Sequence, residues 1–235
     1  MMLLMLSAAF AQQADFDAGI AALRQGDYPA ASDSLATALS AGGVDPAVYH
    51  ALGNALYRQE QTGAAIAAWR RGLVLSPSDG DLDANLARAR SQTTDRLAPP
   101  ASSYGPFFWQ GWLSQRGSAA LSSLGFTLAL LLLGAGRRRP AALTAAFGSL
   151  LLASTLSARA AGAGAVVISE AISVRSALGP DGVELFVLHE GAEVAVEENA
   201  ESHTLIVLPD QRKGWVPAAA LISTDPEDAF PLDAL

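Results

Sequence analysis

Three histidines, His50, His189 and His203, are the only imidazoles in the chain, and they stand far apart. A histidine metal site brings its ligands from closely spaced positions, as in H-E-x-x-H, and no such spacing occurs here. With no cysteine there are no thiolate ligands and no disulfide framework. G-x-S-x-G, the P-loop and G-x-G-x-x-G are all absent. The adjacent carboxylates Glu197 and Glu198 sit at a turn and read as a solvated face, with no deep pocket to perturb them. No named catalytic role can be filled, so the expectation is a protein that binds rather than catalyses, without metal or cofactor.

The elements around these residues are dominated by Arg116 to Arg159. Two uncharged apolar runs, Gly117–Gly136 (20 residues) and Pro140–Ala158 (19 residues), flank Arg137-Arg138-Arg139. At helical rise the first run reaches roughly 30 Å, the thickness of a bilayer core. The second is poorer, being rich in Ala, Ser and Thr, but its small residues Ala145, Ala146, Gly148 and Ala153 suit close helix packing. The pattern predicts a membrane hairpin; a buried helical hairpin of a soluble domain is the alternative. The three arginines favour a cytoplasmic turn and so act as topology determinants. Phe107, Phe108, Trp109 and Trp112 read as interfacial anchors, or else as a hydrophobic plug under the preceding domain.

Charge excludes some partners. From Gln12 to Pro100 there are 10 acidic and 7 basic residues, and from Ala160 onward 13 acidic against 3 basic. Neither part offers the basic face that nucleic acid needs. Residues 1–11 resemble the end of a secretory signal, with an apolar core and then Ala9-Phe10-Ala11, although the segment is short and lacks a positive start. The true start is therefore expected to lie upstream. Export of the first part, followed by a hairpin, puts both soluble parts on the periplasmic side of a bacterial inner membrane.

Residues 12–97 repeat themselves. Gly19 and Gly53, Ala31 and Ala65, and Ala38 and Gly72 are each 34 residues apart, the tetratricopeptide repeat length. The second unit matches best: Tyr49-x2-Leu52-Gly53-x2-Leu56, then Ala65-x3-Trp69, then Pro77. Such arrays resemble grooves that hold extended peptides. That resemblance implies groove-facing roles for His50, Asn54, Tyr57, Arg58 and Arg88, with Asn54 holding peptide backbone. Each of the others is equally a solvated helix face. Residues 98–113 then form a Pro-rich linker carrying the interfacial aromatics.

From Ala165 short β-branched runs alternate with turns at Gly179-Pro180-Asp181-Gly182, Glu190-Gly191 and Pro209-Asp210-Gln211. Val174-Arg175-Ser176, the L-x-x-G-x-x-V step from Leu188 to Val194 and Gly214-Trp215-Val216 resemble the bacterial SH3-like domain. Trp215 is either a packing residue of the barrel or a ligand-stacking one, and cell-wall peptides are the ligands the resemblance suggests. The predicted boundaries are residues 1–11 (signal), 12–97 (repeats with a capping helix), 98–113 (linker) and 114–136 (first transmembrane helix). The cytoplasmic turn is 137–139, the second transmembrane helix 140–159, the SH3-like domain 160–223 and a loose acidic tail 224–235. The expected fold class is therefore a multidomain membrane protein: an all-α tetratricopeptide repeat domain, two transmembrane helices and a small all-β SH3-like barrel.

This order of parts resembles the BatE proteins of the bacterial aerotolerance operon. The resemblance implies a non-catalytic membrane scaffold for envelope assembly or oxidative-stress tolerance. Its partners would be von Willebrand A-domain membrane proteins and a MoxR-type ATPase. The alternative is a cell-wall sensor that binds peptidoglycan through the SH3-like domain.

Overall fold

The computed structural model describes residues 2–40, 44–95, 97, 107, 109, 113, 115–160, 164–179 and 181–231. Side chains are described from Phe10 onward, except at 115, 116 and 157–160.

Five helices come first: α1 (Met2–Gln25), α2 (Tyr28–Ser40), α3 (Pro46–Arg58), α4 (Thr62–Leu75) and α5 (Gly80–Arg90). Their ends follow from local chemistry. Gly26, at φ 79°, closes α1 in the left-handed conformation that costs glycine nothing. Asp27 then accepts from the Ala30 amide at 3.2 Å. Asp45 caps α3, accepting from Ala47 N at 2.7 Å, with Pro46 at the first helical position. Asp79 caps α5 through the amides of Asp81 and Leu82. The 34-residue step has a packing counterpart. A Cβ on Gly19 would meet Leu35 Cγ at 2.6 Å, and one on Gly53 would strike the Trp69 indole. Leu35 and Trp69 are themselves 34 apart, so the same glycine-to-bulky contact joins α1 to α2 and α3 to α4.

Seven strands follow the apolar hairpin: β1 (Gly164–Val167), β2 (Ala171–Arg175), β3 (Glu184–His189), β4 (Glu193–Asn199), β5 (His203–Val207), β6 (Lys213–Pro217) and β7 (Leu221–Ser223). They form one sheet in the order β3-β2-β6-β5-β4-β1-β7, antiparallel at every described pairing. Strands β2, β5 and β6 alternate strictly between buried and more exposed residues, as a half-buried strand should. Gly191 (φ 83°) and Gln211 (φ 70°) make the left-handed corners of the β3–β4 and β5–β6 turns.

The helices and the sheet belong to one compact unit, and this overturns the expected fold class. The helical core takes in Val166 of β1 and Ile222 of β7, so it is not closed within the helices. Arg71, 1% exposed, donates from Nε to Ser223 O at 2.9 Å and from Nη1 to Asp228 O at 2.7 Å. Tyr49 donates its hydroxyl to Pro226 O at 2.9 Å, and the Phe230 ring lies 5.0 Å from the Arg71 guanidinium carbon. Glu190 accepts from the Gly63 amide at 2.7 Å, and Glu193 bridges Arg70 and Arg90. The chain is an α/β protein with a seven-stranded antiparallel sheet, not a repeat array and a barrel on a two-span anchor. Residues 224–230, read as tail, lie against α3 and α4.

The second unit holds α6 (Gln115–Gly134) and α7 (Arg138–Ala160). Among the described residues Gly117–Gly134 is the one segment long and apolar enough to cross a membrane. The second expected span, 140–159, is not such a segment among the described residues; it is diluted by Ala, Ser, Thr and Gly and carries Arg159 near its end. The two helices touch through small residues: a Cβ on Gly125 would meet Gly148 Cα at 3.3 Å, and Ser122 Oγ donates to Gly148 O at 2.8 Å. Ser118, Ser122 and Ser154 are buried, while Leu124, Leu130, Leu131 and Leu143 are exposed.

Candidate functional site

The first helices of successive pairs, α1, α3 and α5, present equivalent positions to one open groove of about 810 Å³. Ile20, Asn54 and Arg88 stand at successive 34-residue steps on its wall, and so do Arg24 and Arg58. Four of the sequence-predicted residues, Asn54, Tyr57, Arg58 and Arg88, are thus brought together. The fifth, His50, does not line the groove but touches it through Asn85: its Nε2 is 3.0 Å from Asn85 Nδ2 and accepts from it.

Asn85 also donates to Asn54 Oδ1 at 3.2 Å. This leaves the Asn54 amide hydrogens and the Asn85 carbonyl oxygen uncommitted among the described residues, a donor and an acceptor side by side on the wall. A peptide unit presents the complementary pair. The Trp69 and Tyr57 rings stand 5.5 Å apart at 49°. The Trp69 Nε1 is buried without a hydrogen-bond partner, and the Tyr57 hydroxyl is held by Gln92 Oε1 at 2.6 Å. Arg24, Arg58 and Arg88 are exposed, and none has a carboxylate within 4.0 Å among the described residues. Arg58 lies over the Tyr28 ring at 6.0 Å. Glu60, at φ 64°, is the single acid on the rim.

Sequence reasoning missed Arg24, Tyr28, Trp69 and Asn85 as groove residues. Arg24 was recoverable, because it precedes Arg58 by one repeat step. Trp69 fills the layer between α3 and α4 while also lining the groove.

The other predicted positions lie elsewhere. Trp215 is half-buried between the buried Gly214 and Val216, so its ring projects from the sheet face opposite the core, in register with Arg175 and Leu205. Trp109 stacks on Phe107 at 4.9 Å and donates its indole N–H to Ser154 Oγ at 2.9 Å. Trp112 lies outside the described residues. Arg137, Arg138 and Arg139 are exposed at the α6–α7 turn, where Gly136 takes φ 74°.

No protein-family model matches the chain, and no curated protein matches it. The fold and the groove therefore define it only as an α/β protein with an open groove among its helices and an apolar helical hairpin.

Proposed function

We propose that this chain is a non-catalytic scaffold whose helical groove holds a segment of a partner protein. One observation carries the reading: Asn54, Tyr57, Arg58 and Arg88, from two helices one repeat apart, line the same open groove. A volume near 810 Å³ falls within the range of roughly 300–1,000 Å³ usual for ligand sites.

The α6–α7 hairpin supports membrane attachment. Ser118, Ser122 and Ser154 are buried while Leu124, Leu130, Leu131 and Leu143 are exposed, an arrangement that suits an apolar surrounding better than water. The contact of Asp95 with His189, which flank the hairpin in sequence, supports keeping both flanking parts on one side of that membrane. The resemblance to BatE proteins suggests that this side lies outside the cytoplasm of a bacterium, with von Willebrand A-domain membrane proteins as partners.

The test is photo-crosslinking in cells from benzoylphenylalanine at position 57, with and without Asn54→Ala. The reading expects a discrete crosslinked membrane protein whose recovery falls about tenfold with that substitution, a loss on the scale of a buried hydrogen-bonding pair. Recovery unchanged by Asn54→Ala in a folded protein overturns it.

A second reading, cell-wall binding through the sheet, is favoured by the outward projection of Trp215. It expects the full chain to pellet with purified peptidoglycan and Trp215→Ala to abolish pelleting.

A further inference from the structure

We infer that the groove is selective for an extended acidic segment, bound through its side-chain carboxylates to Arg24, Arg58 and Arg88. This rests on the groove being a peptide site and adds what kind of peptide it takes.

The charge of the groove runs against that of the chain. The protein has 23 acidic and 15 basic residues, yet three arginines and one glutamate line the groove. Among the described arginines the partly buried Arg70 and Arg90 and the exposed Arg212 have a carboxylate within 4.0 Å, while the exposed Arg137, Arg138, Arg139 and Arg175 have none, so it is the clustering in one groove that sets Arg24, Arg58 and Arg88 apart. Arg24, Arg58 and Arg88 have none among the described residues, although Glu60 shares their groove. All three stand in the last turn of their helices, where a cation is favourable on its own account. That explains the residue type in each helix but not their common opening onto one groove.

Guanidinium groups pair with carboxylates in a two-pronged geometry that an uncharged amide does not reproduce. Beside them, Asn54 offers free amide hydrogens to a peptide carbonyl and Trp69 supplies an apolar floor. The partner is therefore a segment in which Asp or Glu alternates with apolar residues. Each exposed pair contributes modestly, about two- to fivefold in affinity, and three together roughly ten- to hundredfold. Because the pairs are exposed, the selectivity weakens with salt.

The experiment uses the full chain and two fluorescein-labelled ten-residue peptides of the same leucine-containing frame, one with four glutamates and the other with four glutamines. Anisotropy is read at low and high salt. The inference expects the glutamate peptide to bind at least tenfold more tightly, and R24Q/R58Q/R88Q to erase that difference. Asn54→Ala is expected to weaken both peptides. Equal binding of the two peptides, both weakened by Asn54→Ala, overturns the acidic selectivity and leaves the groove reading standing. A preference for the glutamate peptide that survives the triple variant overturns the assignment to these arginines. If neither peptide binds at millimolar concentration the inference fails, and the crosslink from position 57 then decides separately whether the groove binds protein at all.

Discussion

The Arg71 guanidinium donates to the carbonyl oxygen of Ser223 at 2.9 Å, joining positions 152 residues apart. With Asp228 O at 2.7 Å and the rings of Tyr49 and Phe230 nearby, it fastens the C-terminal segment to the helices. A buried arginine is tolerable only because its donors are satisfied, here by backbone carbonyls.

Arg71→Met keeps the aliphatic stem and removes the donors, leaving those carbonyls unpaired. The expected loss is about 2–4 kcal/mol, read as a lower urea midpoint at unchanged slope. Limited proteolysis should then cut between Thr224 and Phe230. A midpoint equal to wild type shows that this segment is not held by Arg71.

Tyr49 gives the assembly a pH signature. Burial pushes its hydroxyl above the ordinary value of 10.0; Arg71 opposes this, while Asp225 and Asp228 add to it. The folded state therefore favours the neutral phenol. That stability is fully present below about pH 10 and is lost as pH rises through the raised value. Denaturation between pH 8 and pH 11 should show stability falling at the alkaline end. Tyr49→Phe should flatten that fall and lose about 1 kcal/mol at neutral pH, since Pro226 O loses its donor. An equal alkaline slope in both proteins assigns the effect elsewhere.

Glu193 is the second fastening. Its side chain, 7% exposed, meets Arg70 of α4 at 3.2 Å and also pairs with Arg90 of α5. Removing the carboxylate alone takes away the one acid that both arginines share, so Glu193→Leu should cost roughly 2–4 kcal/mol, reduced from the fully buried case because Arg90 is partly exposed. The triple variant R70M/E193L/R90M should recover most of that loss. If the triple variant is less stable than Glu193→Leu, the arginines hold the fold through contacts other than this carboxylate.

What the sequence made legible was local. The five helices carry their caps and turn glycines in plain view at Asp45, Asp79 and Gly26, and the strands alternate as half-buried strands do. The groove was visible through the repeat step, because equivalent positions on stacked helices face the same way. The joining of helices to sheet was not. Arg71 and Glu193 look like ordinary surface charges, and the apolar stretch between them suggests two separate bodies. Nothing in the spacing of Arg71 and Ser223 shows that they meet. The second expected span differs for a related reason: length and freedom from internal charge do not by themselves make a helix apolar enough to cross a membrane. Its Ala, Ser and Gly content instead serves the contact with α6, where Gly148 meets Ser122 and Gly125.

Gly53 links the stability of the fold to the function proposed for it. An added Cβ there would strike the Trp69 indole, which is 2% exposed and cannot move without disturbing the groove floor. Overpacking of this kind costs about 1–3 kcal/mol, so Gly53→Ala should lower the urea midpoint even though alanine is the better helix former. Trp69→Leu alone should cost about 2–4 kcal/mol through the cavity it leaves. In the double variant the smaller side chain makes room for the Cβ, so the combined loss should be less than the sum of the two, a coupling that a double-mutant cycle measures directly. Peptide binding should not share this rescue, because the aromatic floor is still missing. Strict additivity in stability would mean that Gly53 and Trp69 do not press on one another. Restored binding in the double variant would mean that the ring is not part of the recognition surface.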